Sequence, residues 1–271
     1  MKRILAATAA AVCISAGVVP ATAAAQTSDA WQFGASIYLY LPTLGGTTNF
    51  PSSGGGSDVS VDSSKIMDKL KMAFMGSFEA RKGVWGGFTD VLYVDLGDSK
   101  SGFRDMTIGG SQIPAGASAN ANFDLKGTVW TLAGSYRAVP DVRQPLDVFA
   151  GARMLDVKQS LDWQLSGNVG SIPLAGRSGN REAKLQNWDA IVGVKGRFTL
   201  GSERKWFVPY YLDVGTGESD LTWQAMTGIG YSFGWGDVVG SWRYLDYKMK
   251  SGRVIESMNF NGPSLAAVFH W

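Results

Sequence analysis

From Trp31 onward the chain alternates. Trp31, Phe33, Ala35, Ile37 and Leu39 fall in one set of positions; Gln32, Gly34, Ser36, Tyr38 and Tyr40 fall in the other. Side chains along a strand point to opposite faces in turn, so a period of two predicts a strand over 31–41 with one apolar face. The same period recurs over 72–80, 85–93, 123–137, 146–156, 188–198, 206–214, 221–233, 238–247 and 258–271. The cleanest example is 221–233, where Leu221, Trp223, Ala225, Ile229, Tyr231 and Phe233 share a face opposite Thr222, Gln224, Gly228, Gly230 and Ser232. That makes about ten strands, with eight or twelve also compatible. Long polar connections are expected over 42–70, 97–122 and 157–181, alternating with short turns, and the first of them holds a helix signal at Asp62 that predicts one turn of helix over 65–70.

What occupies the second face decides the fold class. It carries Glu79, Asp90, Asp147, Arg153, Asp189, Lys195, Arg197, Asp213 and Arg243, while the first face carries the aromatics. A soluble sandwich or lipocalin-like barrel puts its apolar residues inside. Its core would reject this many charges, since each unpaired buried charge costs several kcal/mol. A lipid-facing outer band around a polar lumen accepts all of them. The expected fold is therefore all-β: an up-and-down antiparallel transmembrane β-barrel. Composition agrees, with 35 Gly, 10 Trp, 13 Phe and 9 Tyr and no later apolar run near the ~18 residues a helical span requires.

The N-terminus reads differently. Met1-Lys2-Arg3, an apolar run over 4–19 and Ala23-Ala24-Ala25 form a secretory signal peptide, expected to be cleaved after residue 25 to leave 26–271 as the barrel. The sole cysteine, Cys13, lies within it, preceded by Val12 rather than the small residue of a lipoprotein signal, so no disulfide framework is expected in the mature chain. Net charge is +2, and without Lys2 and Arg3 the remaining 23 basic residues balance 23 acidic ones. Nucleic-acid binding would need a clustered basic surplus, and none is expected here.

The last strand, Met-Asn-Phe-Asn-Gly-Pro-Ser-Leu-Ala-Ala-Val-Phe-His-Trp over 258–271, places Leu265, Phe269 and Trp271 on its apolar face. It resembles the C-terminal signal of bacterial outer-membrane barrels, which implies recognition by the barrel-assembly machinery and closure onto the first strand, 31–41. Further segments carry a wider resemblance: Phe-Met-Gly-Ser-Phe-Glu-Ala-Arg-Lys-Gly-Val-Trp from Phe74, Asp-Val-Gly-Thr-Gly-Glu-Ser-Asp-Leu-Thr-Trp-Gln from Asp213, Gly-Ile-Gly-Tyr-Ser-Phe-Gly-Trp-Gly-Asp from Gly228, Trp-Arg-Tyr-Leu-Asp-Tyr from Trp242 and Phe-Asn-Gly-Pro from Phe260. Together they are similar to an uncharacterised proteobacterial outer-membrane β-barrel family, within the OmpA/OmpW-like small barrels. The resemblance implies an outer-membrane location and contact with lipid and lipopolysaccharide. It implies no activity and no oligomeric state.

Candidate chemistry is confined to the inward charges. They fit either a salt-bridge network that fills a narrow barrel or a charged constriction in a small pore. Omptin-like proteolysis needs an Asp-His pair at the extracellular rim, and barrel lipases need Ser with His. The sole histidine, His270, falls next to the terminal Trp271 and is expected on the lumen side at the opposite rim. Acidic stretches over 58–62 and 213–220 lack the spacing of a calcium loop. Neither metal nor cofactor is expected. The sequence thus points to a structural barrel or narrow small-solute channel, not an enzyme, with a barrel hydrolase or a loop-based adhesin as the alternatives.

Overall fold

The computed structural model of the chain describes residues 30–48, 57–61, 70–98, 117–169, 172–253 and 255–271. The expected signal peptide and residues 62–69 of the expected helical turn lie outside the described residues, while Leu70 opens a strand. The strands are β1 (Trp31–Tyr40), β2 (Thr43–Thr48), β3 (Ser57–Val61), β4 (Leu70–Lys82), β5 (Trp85–Asp98) and β6 (Ala117–Val139). They continue with β7 (Leu146–Val169), β8 (Ile172–Leu200), β9 (Trp206–Gly217), β10 (Ser219–Ser232), β11 (Asp237–Met249) and β12 (Ile255–His270).

These segments form a closed, up-and-down antiparallel barrel of ten staves. From β4 to β12 each strand pairs with the next, and β12 closes onto β1 from Gly34↔His270 to Tyr40↔Ser264. β2 is the continuation of β1 past Pro42: it keeps the same register on β12, with Thr43↔Asn261. β3 lies beside β2 as β4 lies beside β1. Connections at one rim are tight, as at Gly83, whose φ of +61° favours a residue without Cβ. Every stave pairs with both of its neighbours, which is what a bilayer demands of strands.

The outer surface carries an apolar band. Ile37 is 67% exposed and Trp85 68%, with Val192, Leu212 and Ile229 also exposed. Aromatic girdles flank it. Near the tight-turn rim, ring pairs include Phe33–Trp271 at 5.9 Å, Trp206–Tyr231 at 4.8 Å and Trp235–Phe269 at 5.5 Å. The upper girdle holds Trp130–Trp188 at 5.9 Å and Trp223–Tyr244 at 4.8 Å. On β8 the outward positions from Trp188 to Phe198 span about 33 Å of strand, or about 23 Å of bilayer at a ~45° tilt. A barrel band of about 25 Å is what a hydrocarbon core requires. The chain is a membrane-spanning barrel.

Above the upper girdle the two faces exchange character. Outward positions become Asp95, Lys126, Asp156, Gln186 and Asp246, while inward positions become Val129, Leu155, Leu185, Leu245 and Tyr247, all buried in one cluster. The strands that run above the upper girdle correct all three of the expected long loops. The connection expected over 157–181 is almost entirely wall, since β7 and β8 pair from Leu146↔Gly196 to Val169↔Ile172. Likewise β6 begins at Ala117, inside the loop expected over 97–122, and β2 and β3 lie inside the one expected over 42–70. Where the side chains are described, as at Leu155 to Lys158 and at Lys184 to Gln186, alternation continues with its character inverted, and a polar outer face over an apolar inner one reads as loop when lipid-facing strands are sought.

Candidate functional site

The nine inward charges singled out from sequence gather into layers inside the lumen. At the tight-turn rim, Asp147 accepts from Arg137 Nε at 2.5 Å and also from Arg81. Arg81 Nη2 reaches Glu79 at 2.7 Å, and Lys195 Nζ donates to the other Glu79 oxygen at 2.5 Å. Arg197 lies 3.5 Å from Asp237, which also holds His270 Nε2 at 3.0 Å. Above this comes an aromatic layer, Phe88, Phe149 and Tyr211, with Phe88–Phe149 edge-on at 5.1 Å and Lys195 4.2 Å over the Phe88 ring.

The middle of the lumen contains two arginine knots. Arg153, 0% exposed, makes a bidentate pair with Asp213, one arm at 3.0 Å, while its Nε donates to Thr131 at 3.3 Å. Arg243 donates to Asp90 at 3.0 Å, to Gln224 at 3.0 Å and to the Tyr38 hydroxyl at 3.1 Å; that hydroxyl donates in turn to Asp90 at 2.7 Å. A forked guanidinium matched to a carboxylate in this way is the strong form of a charge pair. Asp189 behaves differently. It accepts the Ser219 amide and hydroxyl, both at 2.8 Å, and so secures the tight β9–β10 connection. Among the described residues it forms no ion pair, and the knot nearest to it, Arg153, is committed to Asp213.

The apolar cluster then fills the lumen at and above the upper girdle, with Leu155, Leu245 and Tyr247 fully buried. Among the described residues the lumen is therefore occupied in turn by paired charges, rings, arginine knots and apolar side chains. The outward-facing set Leu265, Phe269 and Trp271 sits on the lipid side of β12, and Trp271 exchanges backbone hydrogen bonds with Phe33 at 3.1 and 2.8 Å.

Sequence reasoning passed over Arg81, Arg137 and Asp237. Arg81 and Asp237 lie at strand ends beside the tight turns. Continuing the phase of Met75, Ser77 and Glu79 by one step places Arg81 inward, and the register pair Arg137↔Asp147 follows from the same phase on β6. Tyr38 and Gln224 were placed inward but given no charge to hold. Among the described residues, His270 bonds Asp237 and no serine, and no group of three metal-ligating side chains forms.

No family model matches the chain, and no curated protein does. Solved structures similar to it include the translocator domain of the autotransporter NalP from Neisseria meningitidis, 15% identical over 88% of each chain with a TM-score of 0.36. Another is Ail, the attachment invasion locus protein of Yersinia pestis, 9% identical over 89% of this chain and 98% of that one, with a TM-score of 0.34. A third is the monoaromatic hydrocarbon channel CymD, 9% identical over 91% and 90%, with a TM-score of 0.31. At these values no activity and no residue role passes from those proteins to this chain.

Proposed function

We propose that this chain is an integral β-barrel of a bacterial outer membrane with a structural role, closed to water and ions along its axis and carrying no reaction. One observation carries the reading: the lumen is blocked at two successive levels, by the Arg153–Asp213 pair and by the apolar layer around Leu155 and Leu245, all 0–2% exposed. Ten strands enclose a lumen near the width that side chains fill, whereas porins of 16 or more strands leave a water-filled channel. The outer-membrane assignment rests on the closed barrel, the two girdles and the aromatic end of β12. In that membrane the tight turns face the periplasm and the long β6, β7 and β8 project outward. Above the upper girdle Lys126, Lys158 and Lys184 stand directly across from one another on those three strands, Lys126 paired with Asp95 and Lys158 with Glu182, each at 2.9 Å, a mixed-charge surface at the height of lipopolysaccharide phosphates.

Planar-bilayer recording tests the reading. The purified barrel is expected to give no stable current steps. Steps whose ion selectivity shifts in Arg243→Ala or Lys195→Ala would replace the structural reading with a charged pore.

A second reading, surface recognition by the projecting wall, has its own observation. β6, β7 and β8 run to 23, 24 and 29 residues, where about 10 suffice to cross a bilayer.

A further inference from the structure

On the outer face of β11, Gly240 has no side chain where its ladder partners, Ile229 on β10 and Leu265 on β12, carry large apolar ones. A Cβ added at Gly240 would meet nothing within 4 Å, so the position opens outward. The result is a groove of about 470 Å³ on the outside of β9, β10 and β11. It runs from Ile229 and Gly240 in the apolar band to Trp206, Tyr231 and Phe233 at the tight-turn girdle.

The walls of the groove are fixed by their own packing. Trp206 meets Tyr231 edge-on at 4.8 Å, Tyr231 meets Phe233 edge-on at 4.7 Å, and Phe233 stacks on Trp235 at 5.7 Å. These contacts leave the groove side uncovered: Trp206 is 50% exposed and Ile229 52%. A rigid apolar surface of this kind loses little freedom when something fills it.

At its rim end the groove meets a charged turn. Residues 201–205 join β8 to β9, and the Lys205 carbonyl accepts the Ser232 N–H at 2.8 Å, which ties this turn to the end of β10. Lys205 Nζ pairs with Glu203 at 3.3 Å. The turn from β10 to β11 adds only Asp237, which is engaged by Arg197 and His270. Arg204, exposed and two residues from Trp206, forms no ion pair among the described residues. One uncommitted cation therefore stands beside the headgroup end of an apolar groove.

We propose that this groove is a site for one anionic glycerophospholipid of the periplasmic leaflet, with an acyl chain over Gly240 and the phosphate on Arg204. The occupant follows from place and charge. The groove opens into the band, where alkyl chains are the surrounding medium, and its aromatic end lies at headgroup level. A guanidinium matches a phosphate as a fork, and a cation at this height favours a headgroup of net negative charge. The site rests on the reading that the tight turns face the periplasm.

Native mass spectrometry of the purified barrel, titrated with phosphatidylglycerol or phosphatidylcholine, tests the site. The first phosphatidylglycerol is expected to bind about tenfold more tightly than the first phosphatidylcholine. Gly240→Leu fills the groove without touching a charge and is expected to weaken that phosphatidylglycerol about tenfold. Gly134→Leu is the control, since Gly134 lies between exposed Leu132 and Tyr136 and its Cβ would also meet nothing within 4 Å. It is expected to bind as the parent does. Arg204→Gln is expected to remove the preference and leave phosphatidylcholine binding unchanged. Equal losses in the two glycine variants overturn the proposal, because the lipid is then only the general coat of the barrel. A preference that survives Arg204→Gln overturns it too, and a dimer mass that disappears in Gly240→Leu gives the groove to a second copy. Should Gly240→Leu not fold, Val238→Phe narrows the same groove. Heat-modifiable migration keeps the two readings apart. A folded barrel that retains no phosphatidylglycerol overturns the site alone, whereas a chain that never becomes heat-modifiable overturns the barrel with it.

Discussion

Arg153 and Asp213 show how single residues shape the lumen. Both are fully buried, so their charges forgo water and depend on each other, with Thr131 taking a further guanidinium proton. Such a pair repays its desolvation only when both halves remain, and removing one half costs roughly 3–5 kcal/mol. Asp213→Ala is therefore expected to lower stability by about that amount, read as a shift in the urea midpoint of tryptophan fluorescence in lipid vesicles. Replacing both together, Arg153→Met with Asp213→Leu, removes the orphaned charge and is expected to cost much less. A double variant as unstable as Asp213→Ala would show that the loss lies in shape and not in charge. Arg243, with three side-chain partners including Tyr38 and Gln224, belongs to a wider network. Single substitutions there spread over several bonds, and their effects do not add.

At the scale of the element, β12 was the most legible strand and the wall around 157–181 the least. The alternation of Leu265, Phe269 and Trp271 set the lipid face of β12, and the resemblance of its aromatic end to that of outer-membrane barrels implied closure onto β1. The same reasoning failed on the upper halves of β7 and β8. Beyond Met154 the outward residues are Asp156 and Lys158, and the inward ones are Leu155 and Val157. Period two persists while its phase reverses, so a search for lipid-facing rows finds nothing there. β12 also carries a prediction. Trp271 closes the ring through two backbone bonds to Phe33 and through stacking on Phe33 and near Phe78, at 5.9 and 6.3 Å. Trp271→Ala keeps the backbone bonds and loses the rings, about 0.5–1.5 kcal/mol per aromatic pair. If the strand is also read by the assembly machinery, insertion with that machinery is expected to slow more than spontaneous folding into short-chain lipid, as timed by heat-modifiable gel migration. Equal slowing in both would confine Trp271 to a packing role.

At the scale of the whole molecule, the barrel is two solvents' worth of design on one set of strands. Within the band the outer face is apolar and the lumen holds paired charges; above the upper girdle the outer face is charged and the lumen is packed with Leu, Val and Tyr. The girdle of Trp130, Trp188, Trp223 and Tyr244 marks where lipid gives way to water. One strand crosses both regimes with its outward phase unbroken, so β8 permits a direct comparison. Val192 is an outward position in the band, 57% exposed, and Gln186 is an outward position just beyond Trp188. An arginine on the lipid face of a barrel costs about 2–4 kcal/mol at the bilayer midplane and about 0–1 near the interface. Val192→Arg is thus expected to lose several kcal/mol and Gln186→Arg close to none, both measured by urea titration in the same vesicles. The introduced side chain is the same at both sites; the sites differ in height and in the residue across the ladder, Ala150 at Val192 and Asp156 at Gln186. Matching costs at the two sites would mean that the apolar band does not contact hydrocarbon, and the charged lumen would then need an explanation other than a membrane around it.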